Sequence, residues 1–115
     1  MLNTLESLFK LARDRKNKPV EGSYTNKLLA DKSFSKEKVL EEINELIEAV
    51  EVLSSNNKVF DAKSDFFNSD VKEAADVLYH LLVYLEANNI KYEEVLKELQ
   101  RRTFQSGIKE KENRK

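Results

Sequence analysis

Apolar residues recur at helical spacing along most of this chain. Leucine, phenylalanine and alanine fall at intervals of three or four near the start, which predicts an amphipathic helix from Leu2 to about Arg15. The same periodicity predicts four later helices, which cover Tyr24 to Ala30, Ser35 to about Leu53, about Asp70 to Asn88, and Ile90 to Phe104. The chain is therefore expected to be all-α, a helical bundle of about four to five helices.

Two serines stand where helices should begin. Ser23 is expected to cap the short second helix and Ser35 the long third one, because a serine hydroxyl accepts hydrogen bonds from the free amides of a first turn. The polar stretch 54–69, which contains three phenylalanines, is expected to form a long connection or a short helix pinned to the body by its aromatic rings.

The predicted third helix carries its apolar residues on one broad arc. On a helical wheel that starts at Val39, the arc spans about 320° to 100°. Its members are Val39, Leu40, Ile43, Leu46, Ile47, Val50 and Leu53. We expect this arc to face the core, with Glu42 and Glu45 at its border.

The predicted fourth helix is apolar on nearly all sides. Its first turns keep one narrow polar stripe, formed by Glu73, Asp76 and His80. A helix of this kind should lie centrally in the bundle or in a subunit interface, and homodimerisation is therefore expected to complete the fold. Two acids in such a helix require cations or hydrogen-bond partners, because burying an uncompensated carboxylate is costly.

The acidic residues of these two helices repeat one spacing. Glu42 and Glu45, like Glu73 and Asp76, are three residues apart, which places each pair on one helical face about 5–6 Å apart at Cβ. If the two helices pack antiparallel, the four carboxylates converge. Such a cluster can hold a divalent cation against phosphate oxygens, and phosphoanhydride hydrolysis is the natural reaction class.

The amino-acid composition limits which metal ions the chain could bind. The chain has no cysteine and one histidine, which excludes disulfides and thiolate sites and argues against a conventional zinc site. Oxygen ligands favour Mg²⁺, Mn²⁺ or Ca²⁺.

Charge is unevenly distributed along the chain. Residues 39–76 carry 10 Asp and Glu against 3 Lys and Arg, and both flanking segments are net basic. This arrangement favours a metal site bordered by anion-binding groups over a nucleic-acid surface.

No apolar run of membrane-spanning length is present, so a cytoplasmic protein without a membrane partner is expected. Residues 1–104 are expected to form one domain and 105–115 a charged tail.

Simpler interpretations exist for each feature. The Glu41-Glu42-x-x-Glu45 phrase could be an ordinary solvated face, and Arg101 could serve only solubility, although arginine suits phosphate. His80, one turn after Asp76, could support a metal ligand, contact substrate or be a hydrogen-bonded core residue. Two alternative functions follow: a housekeeping nucleoside triphosphate pyrophosphohydrolase, and a non-catalytic helical interaction module.

Four segments together resemble a known family. They are Gly22–Leu29, Lys38–Glu45, Glu73–Val83 and Arg101–Arg114. In this order they are similar to the phosphoribosyl-ATP pyrophosphatase family, all-α enzymes of the MazG-like pyrophosphohydrolase superfamily. The resemblance implies Mg²⁺-dependent hydrolysis of phosphoribosyl-ATP to phosphoribosyl-AMP and pyrophosphate in histidine biosynthesis, with Mn²⁺ as a substitute ion.

The resemblance also implies roles for individual residues. Carried over, the metal ligands are Glu42, Glu45, Glu73 and Asp76. The catalytic acids are Glu41 and Glu42, of which Glu41 is an additional ligand or the base that orients water. The expected contacts to the nucleotide substrate are Ser23, Tyr24, Thr25, Lys27, Lys38, His80 and Arg101.

Overall fold

The computed structural model of the protein describes residues 4–55 and 65–103, and the residues in those two ranges form five helices and no strand. The helices are α1 (Thr4–Asn17), α2 (Tyr24–Ala30), α3 (Lys32–Ser55), α4 (Asp65–Ala87) and α5 (Tyr92–Thr103). The prediction of an all-α fold is confirmed. The charged tail expected at 105–115 lies outside the described residues.

The starts of α2 and α3 differ in how well they were predicted. Ser23 caps α2 as expected, because its hydroxyl accepts a hydrogen bond from the Asn26 amide at 3.3 Å. The prediction for α3 is wrong: the helix begins at Lys32, and the Asp31 carboxylate accepts from the Phe34 amide at 3.0 Å. Aspartate caps as well as serine does, and the chain reaches Asp31 first. Ser35 therefore lies inside the helix, fully buried.

The connection between α3 and α4 is shorter than predicted. Helix α3 runs to Ser55 and α4 begins at Asp65, five residues before the expected start at Asp70. The polar residues near position 70 resembled a loop, but they lie within the helix, because packing against the rest of a protein overrides weak local preference. Of the three phenylalanines expected to pin this segment, Phe60 lies outside the described residues.

Helix α4 occupies the centre of the fold and contacts all four other helices, as its nearly continuous apolar surface predicted. The tightest part of the core lies where α1, α2 and α4 meet. Ala12, Leu28 and Val83 are fully buried there, and Phe34 and Tyr79 pack against them. The core thus fixes α2 against the middle of α4.

The apolar arc of α3 is only partly used within the protomer. Of its described members Val39 is buried, but Leu40, Ile43, Ile47 and Val50 are exposed. The expectation that the whole arc faces the protomer core is wrong. The reason is that α3 turns the side bearing Glu42 towards α4, which rotates most of the apolar arc outwards.

Helix α5 has no buried residue and is held mainly at its start. The Tyr92 ring stacks on Phe9 of α1 with centroids 4.5 Å apart, and Arg13 donates two hydrogen bonds to the Glu93 carboxylate at 3.0 and 2.8 Å. The chain turns before α5, where Asn89 lies in the left-handed region at φ 60°. None of the helices in the described ranges has both the length and the hydrophobicity of a transmembrane segment.

Candidate active site

The acidic residues of α3 and α4 meet across the interface between the two helices. One carboxylate oxygen from each of Glu42, Glu73 and Asp76 can be chosen so that all three lie within 4.8 Å of one another. Later residues of α3, including Glu48, share a small cavity with the earlier α4 residue Ser69, so the two helices run antiparallel. The i,i+3 spacing within each helix therefore brings its two acids to one place.

Glu45 is the fourth member of this acidic cluster. It lies within hydrogen-bonding reach of both Glu42 and Glu73. Two ionised carboxylates have no proton to share, so the geometry calls for either a bound proton or a cation between them. The cluster therefore comprises Glu42, Glu45, Glu73 and Asp76.

Burial makes the cluster electrostatically demanding. Glu42 is only 7% exposed, and the Oε2 atoms of Glu42 and Glu73 have no hydrogen-bond partner among the described residues. Loss of water raises the pKa of Glu42 and of Glu73, and the neighbouring Glu45 raises both further. A divalent cation would satisfy these oxygens and reverse both effects, so the residues present fit a hard metal ion.

Lys38 and Glu41 border the cluster on α3. The Lys38 ammonium lies 3.2 Å from the Glu41 carboxylate and 4.0 Å from that of Glu42. The hydrogen bond to Glu41 raises the pKa of Lys38, so the side chain keeps its positive charge. The exposed Glu41 and the Lys38 ammonium thus stand next to the buried Glu42.

Helix α2 approaches the cluster through its first two residues. The Tyr24 hydroxyl lies 3.0 Å from His80 Nε2, and the Thr25 hydroxyl lies 2.5 Å from the Tyr79 hydroxyl. Burial of the Tyr24 phenol raises its pKa, so it remains a neutral hydrogen-bond donor. His80 is 6% exposed, and its Nδ1 lies 2.8 Å from the Asp76 carbonyl oxygen.

A cavity of about 830 Å³ opens beside α2. Three of the predicted substrate contacts, Ser23, Tyr24 and Lys27, line it. Thr25 is buried against α4, and Lys27 places its ammonium 4.8 Å from the centre of the Phe34 ring. The lining combines apolar residues with two lysines, Lys16 and Lys27, and one acid, Glu21, and the positive side chains suit a nucleotide or sugar phosphate.

Arg101 is on a different part of the molecule. It lies on α5 and forms an ion pair with Glu98 of the same helix at 2.6 Å. The structure thus gathers the acids, Lys38 and His80 around the contact of α4 with α2 and α3, whereas Arg101 stands on the helix that packs at the end of α4.

The residues that shape the loop at the cavity were not predicted from the sequence. Arg15 donates to the Ser23 hydroxyl at 2.9 Å, and the Asn26 side chain bonds the backbone of Arg15 at 2.7 Å and of Val20 at 2.8 Å. No local sequence pattern predicts these contacts, because they join the end of α1 and the loop after it to the start of α2. They hold the mouth of the cavity in a defined shape.

Comparison with known proteins gives a consistent result. Residues 3–103 match the family described as phosphoribosyl-ATP pyrophosphohydrolase. The chain is 44% identical over 103 residues to the phosphoribosyl-ATP pyrophosphatase of Bacillus cytotoxicus, covering 90% of this chain and 86% of that protein. It is 41% identical over 110 residues to the enzyme of the same name from Clostridium acetobutylicum, covering 96% and 90%. A chloroplastic bifunctional histidine biosynthesis protein of Arabidopsis thaliana is 38% identical over 115 residues, covering 98% of this chain and 37% of that protein.

Proposed function

The chain belongs to the phosphoribosyl-ATP pyrophosphohydrolase family, and on that premise we propose that it hydrolyses phosphoribosyl-ATP to phosphoribosyl-AMP and pyrophosphate. The observation that carries the proposal is the acidic cluster between α3 and α4, in which two buried carboxylate oxygens have no hydrogen-bond partner within the described ranges. Cleavage between the α and β phosphates, a place in histidine biosynthesis and a cytoplasmic location belong to the same proposal.

The proposed metal is Mg²⁺, with Mn²⁺ as a substitute, held by Glu42, Glu45, Glu73 and Asp76. The donor set is entirely oxygen, which hard divalent cations prefer. When bound, the ion supplies Lewis-acid polarisation of the phosphoryl group and neutralises the charge of the pyrophosphate leaving group. Burial and the neighbouring Glu45 raise the pKa of Glu42 and of Glu73, and a divalent cation bound between these acids would oppose that effect and favour the ionised form that ligation requires.

The catalytic acids are Glu41 and Glu42. Glu41 is exposed beside the cluster, and in this proposal its carboxylate orients the attacking water and accepts its proton. Lys38 holds that carboxylate at 3.2 Å, and its ammonium has further hydrogens to donate to a substrate phosphate. Glu42 serves as a metal ligand, and its buried negative charge attracts the cation.

The cavity beside α2 is the proposed site for the phosphoribosyl part of the substrate. Lys27 would offset phosphate charge, Ser23 would offer a hydroxyl, and the Tyr24 ring would supply an aromatic surface for stacking. Thr25 of α2 and His80 of α4 lie behind this wall, at the contact between the two helices. Arg101 remains a proposed phosphate contact on α5.

The decisive experiment measures pyrophosphate release from phosphoribosyl-ATP with Mg²⁺ and with excess chelator. Turnover should require the metal, and Asp76→Asn should remove most of it. Glu51→Gln changes the same charge on the exposed side of α3 and should behave as the unmodified protein. Full turnover of Asp76→Asn would contradict the ligand assignment. A preference for ordinary or damaged nucleoside triphosphates in the same assay would instead support a housekeeping pyrophosphohydrolase.

We also propose that a second copy of the chain covers the exposed apolar arc. Leu40, Ile43, Ile47 and Val50 lie on one face of α3 and are 37–54% exposed, and Val71 of α4 is 60% exposed. Contiguous apolar surface of this kind marks an interface. Sedimentation at micromolar concentration should give a dimer, and Ile47→Lys should shift it towards monomer. A monomeric unmodified protein would exclude the dimer.

A further inference from the structure

Helices α2 and α4 are joined by two neighbouring pairs of side chains. Tyr24 meets His80 through a hydroxyl to Nε2 distance of 3.0 Å, and Thr25 meets Tyr79 through hydroxyl oxygens 2.5 Å apart. The Tyr24 and Tyr79 rings also stack, with centroids 6.5 Å apart. Because both pairs involve consecutive residues on each helix, they fix α2 against α4 in position and in rotation.

The histidine has no ring nitrogen left over for substrate. A carbonyl oxygen can only accept a hydrogen bond, so the 2.8 Å contact with the Asp76 carbonyl places the imidazole proton on Nδ1. Nε2 then accepts from the Tyr24 hydroxyl. With both nitrogens engaged and 6% of its surface exposed, His80 acts within the protein.

Each end of this contact leads to a different half of the site. Tyr24 opens α2, which carries the cavity residues Ser23 and Lys27 at its start and in its last turn. His80 bonds the backbone of Asp76, one turn earlier on the helix that also bears Glu73. The spacing between cavity and acidic cluster therefore depends on how α2 sits on this turn of α4.

We propose that Tyr24 and His80 are a positioning pair, which sets the distance between the cavity beside α2 and the acidic cluster between α3 and α4. This inference rests on the proposed function, because it assumes that one substrate spans both. Tyr24 is 43% exposed and lines the cavity, while its hydroxyl lies 3.0 Å from His80 Nε2. The hydroxyl thus holds the ring in place and leaves only the ring to meet substrate.

A double-mutant cycle separates positioning from direct contact. Tyr24→Phe keeps the ring and removes only the hydroxyl. His80→Asn keeps a donor for the Asp76 carbonyl and removes the acceptor at Nε2. Each variant should raise KM for phosphoribosyl-ATP about 3- to 10-fold, the effect of one net hydrogen bond, with kcat changed less than twofold. The double variant should be no worse than either single one.

Direct contact predicts a different result. If the Tyr24 hydroxyl touched substrate, Tyr24→Phe would cost the same factor in the His80→Asn background as in the unmodified protein, which would overturn the proposal. An unchanged KM in Tyr24→Phe would overturn it too. Tyr92→Phe, a hydroxyl deletion at the contact of α5 with α1, is the matched control and should leave KM unchanged. If the unmodified protein released no pyrophosphate, the proposed function itself would fail, and the positioning role with it.

A spectroscopic readout needs no turnover. Because the chain has one histidine, the ¹⁵N signals of the imidazole belong to His80 alone. The metal-free protein should show a protonated Nδ1 and an unprotonated Nε2, and Tyr24→Phe should shift the Nε2 resonance while Tyr92→Phe does not. The opposite tautomer, or no response to Tyr24→Phe, would refute the contact on which the proposal stands.

Discussion

Replacing Glu42 by glutamine should stabilise the metal-free protein and weaken its response to Mg²⁺. Glu42 is buried beside Glu45, and a neutral side chain of nearly the same shape removes one negative charge from the cluster. The amide also brings two hydrogens, which neighbouring carboxylate oxygens can accept. The site would then lose function and gain stability through the same change.

The size of the effect follows from the geometry. Two unit charges 4.8 Å apart, the outer limit for the chosen oxygens of Glu42, Glu73 and Asp76, repel by about 3.5 kcal/mol at an effective dielectric constant of about 20. Lys38 and solvent around the exposed Asp76 screen part of this, and we expect a net gain of about 1 kcal/mol. At about 2.1 cal/mol/K per residue, the unfolding entropy of a 115-residue chain converts 1 kcal/mol into about 4 °C of Tm.

Mg²⁺ should reverse the order of the two proteins. An ion present at about ten times its dissociation constant stabilises the native state by about 1.4 kcal/mol, or about 6 °C for the unmodified protein. Glu42→Gln lacks one ligand and should gain less than about 2 °C. Both proteins must be compared at one protein concentration, because an oligomer's Tm depends on it.

Acid should remove the difference in the metal-free state. Because the folded-state pKa of Glu42 is raised, the charged carboxyl destabilises the fold above that pKa, and the penalty vanishes as pH falls below the unfolded value of about 4.5. The Tm advantage of Glu42→Gln should therefore be largest near pH 7 and disappear near pH 4. Glu51→Gln should show neither trend. A Tm of Glu42→Gln below that of the unmodified protein at pH 7 in chelator would refute the reasoning.

Three further predictions concern stability and use urea or thermal unfolding. Ser35→Ala should raise the free energy of unfolding by about 1 kcal/mol, because the buried Ser35 hydroxyl has no hydrogen-bond partner among the described residues; a loss would reveal one. Leu28→Ala should lower it by about 2–5 kcal/mol, since Leu28 is fully buried in the core, and a change below 1 kcal/mol would contradict that packing. The hydrogen bonds from Arg13 lower the pKa of Glu93 to about 2. This contact therefore stabilises the fold fully above about pH 4.5 and less as the pH falls towards 2. The Tm difference between Glu93→Gln and the unmodified protein should shrink over that interval.

Much of the local structure was accessible from the sequence. The sequence pattern predicted all five helices of the described residues, and the Ser23 cap was identified from a single residue. These features depend on interactions within one or two helical turns, where side-chain type and spacing decide the outcome. The contact of α4 with all four other helices was also predictable, because a helix with apolar residues on nearly all sides needs neighbours on several of them; Val71 and Leu78 nevertheless stay exposed in the protomer.

Long-range packing decided the rest. The helical wheel of α3 predicted that its apolar arc faces the core. In the structure the side of α3 that bears Glu42 faces α4, and Ile47 on the apolar arc is exposed. Ser35 was predicted to cap α3, but Asp31 does so in the structure. Both residue types can cap a helix, and only the packing of the whole chain determines which of the two does. Neither outcome is encoded in a local pattern, because each depends on which surface of another helix is available.

The candidate site divides in the same way. By itself the sequence determined that two helices each carry an acidic pair on one face, since i,i+3 spacing is a property of any helix. Only the tertiary structure decided that Glu42 is buried, that Glu45 neighbours both Glu42 and Glu73, and that both nitrogens of His80 are engaged by α2 and α4. The physical reason is that pKa, burial and hydrogen-bond pairing are set by groups distant in the chain, which meet only when the helices pack.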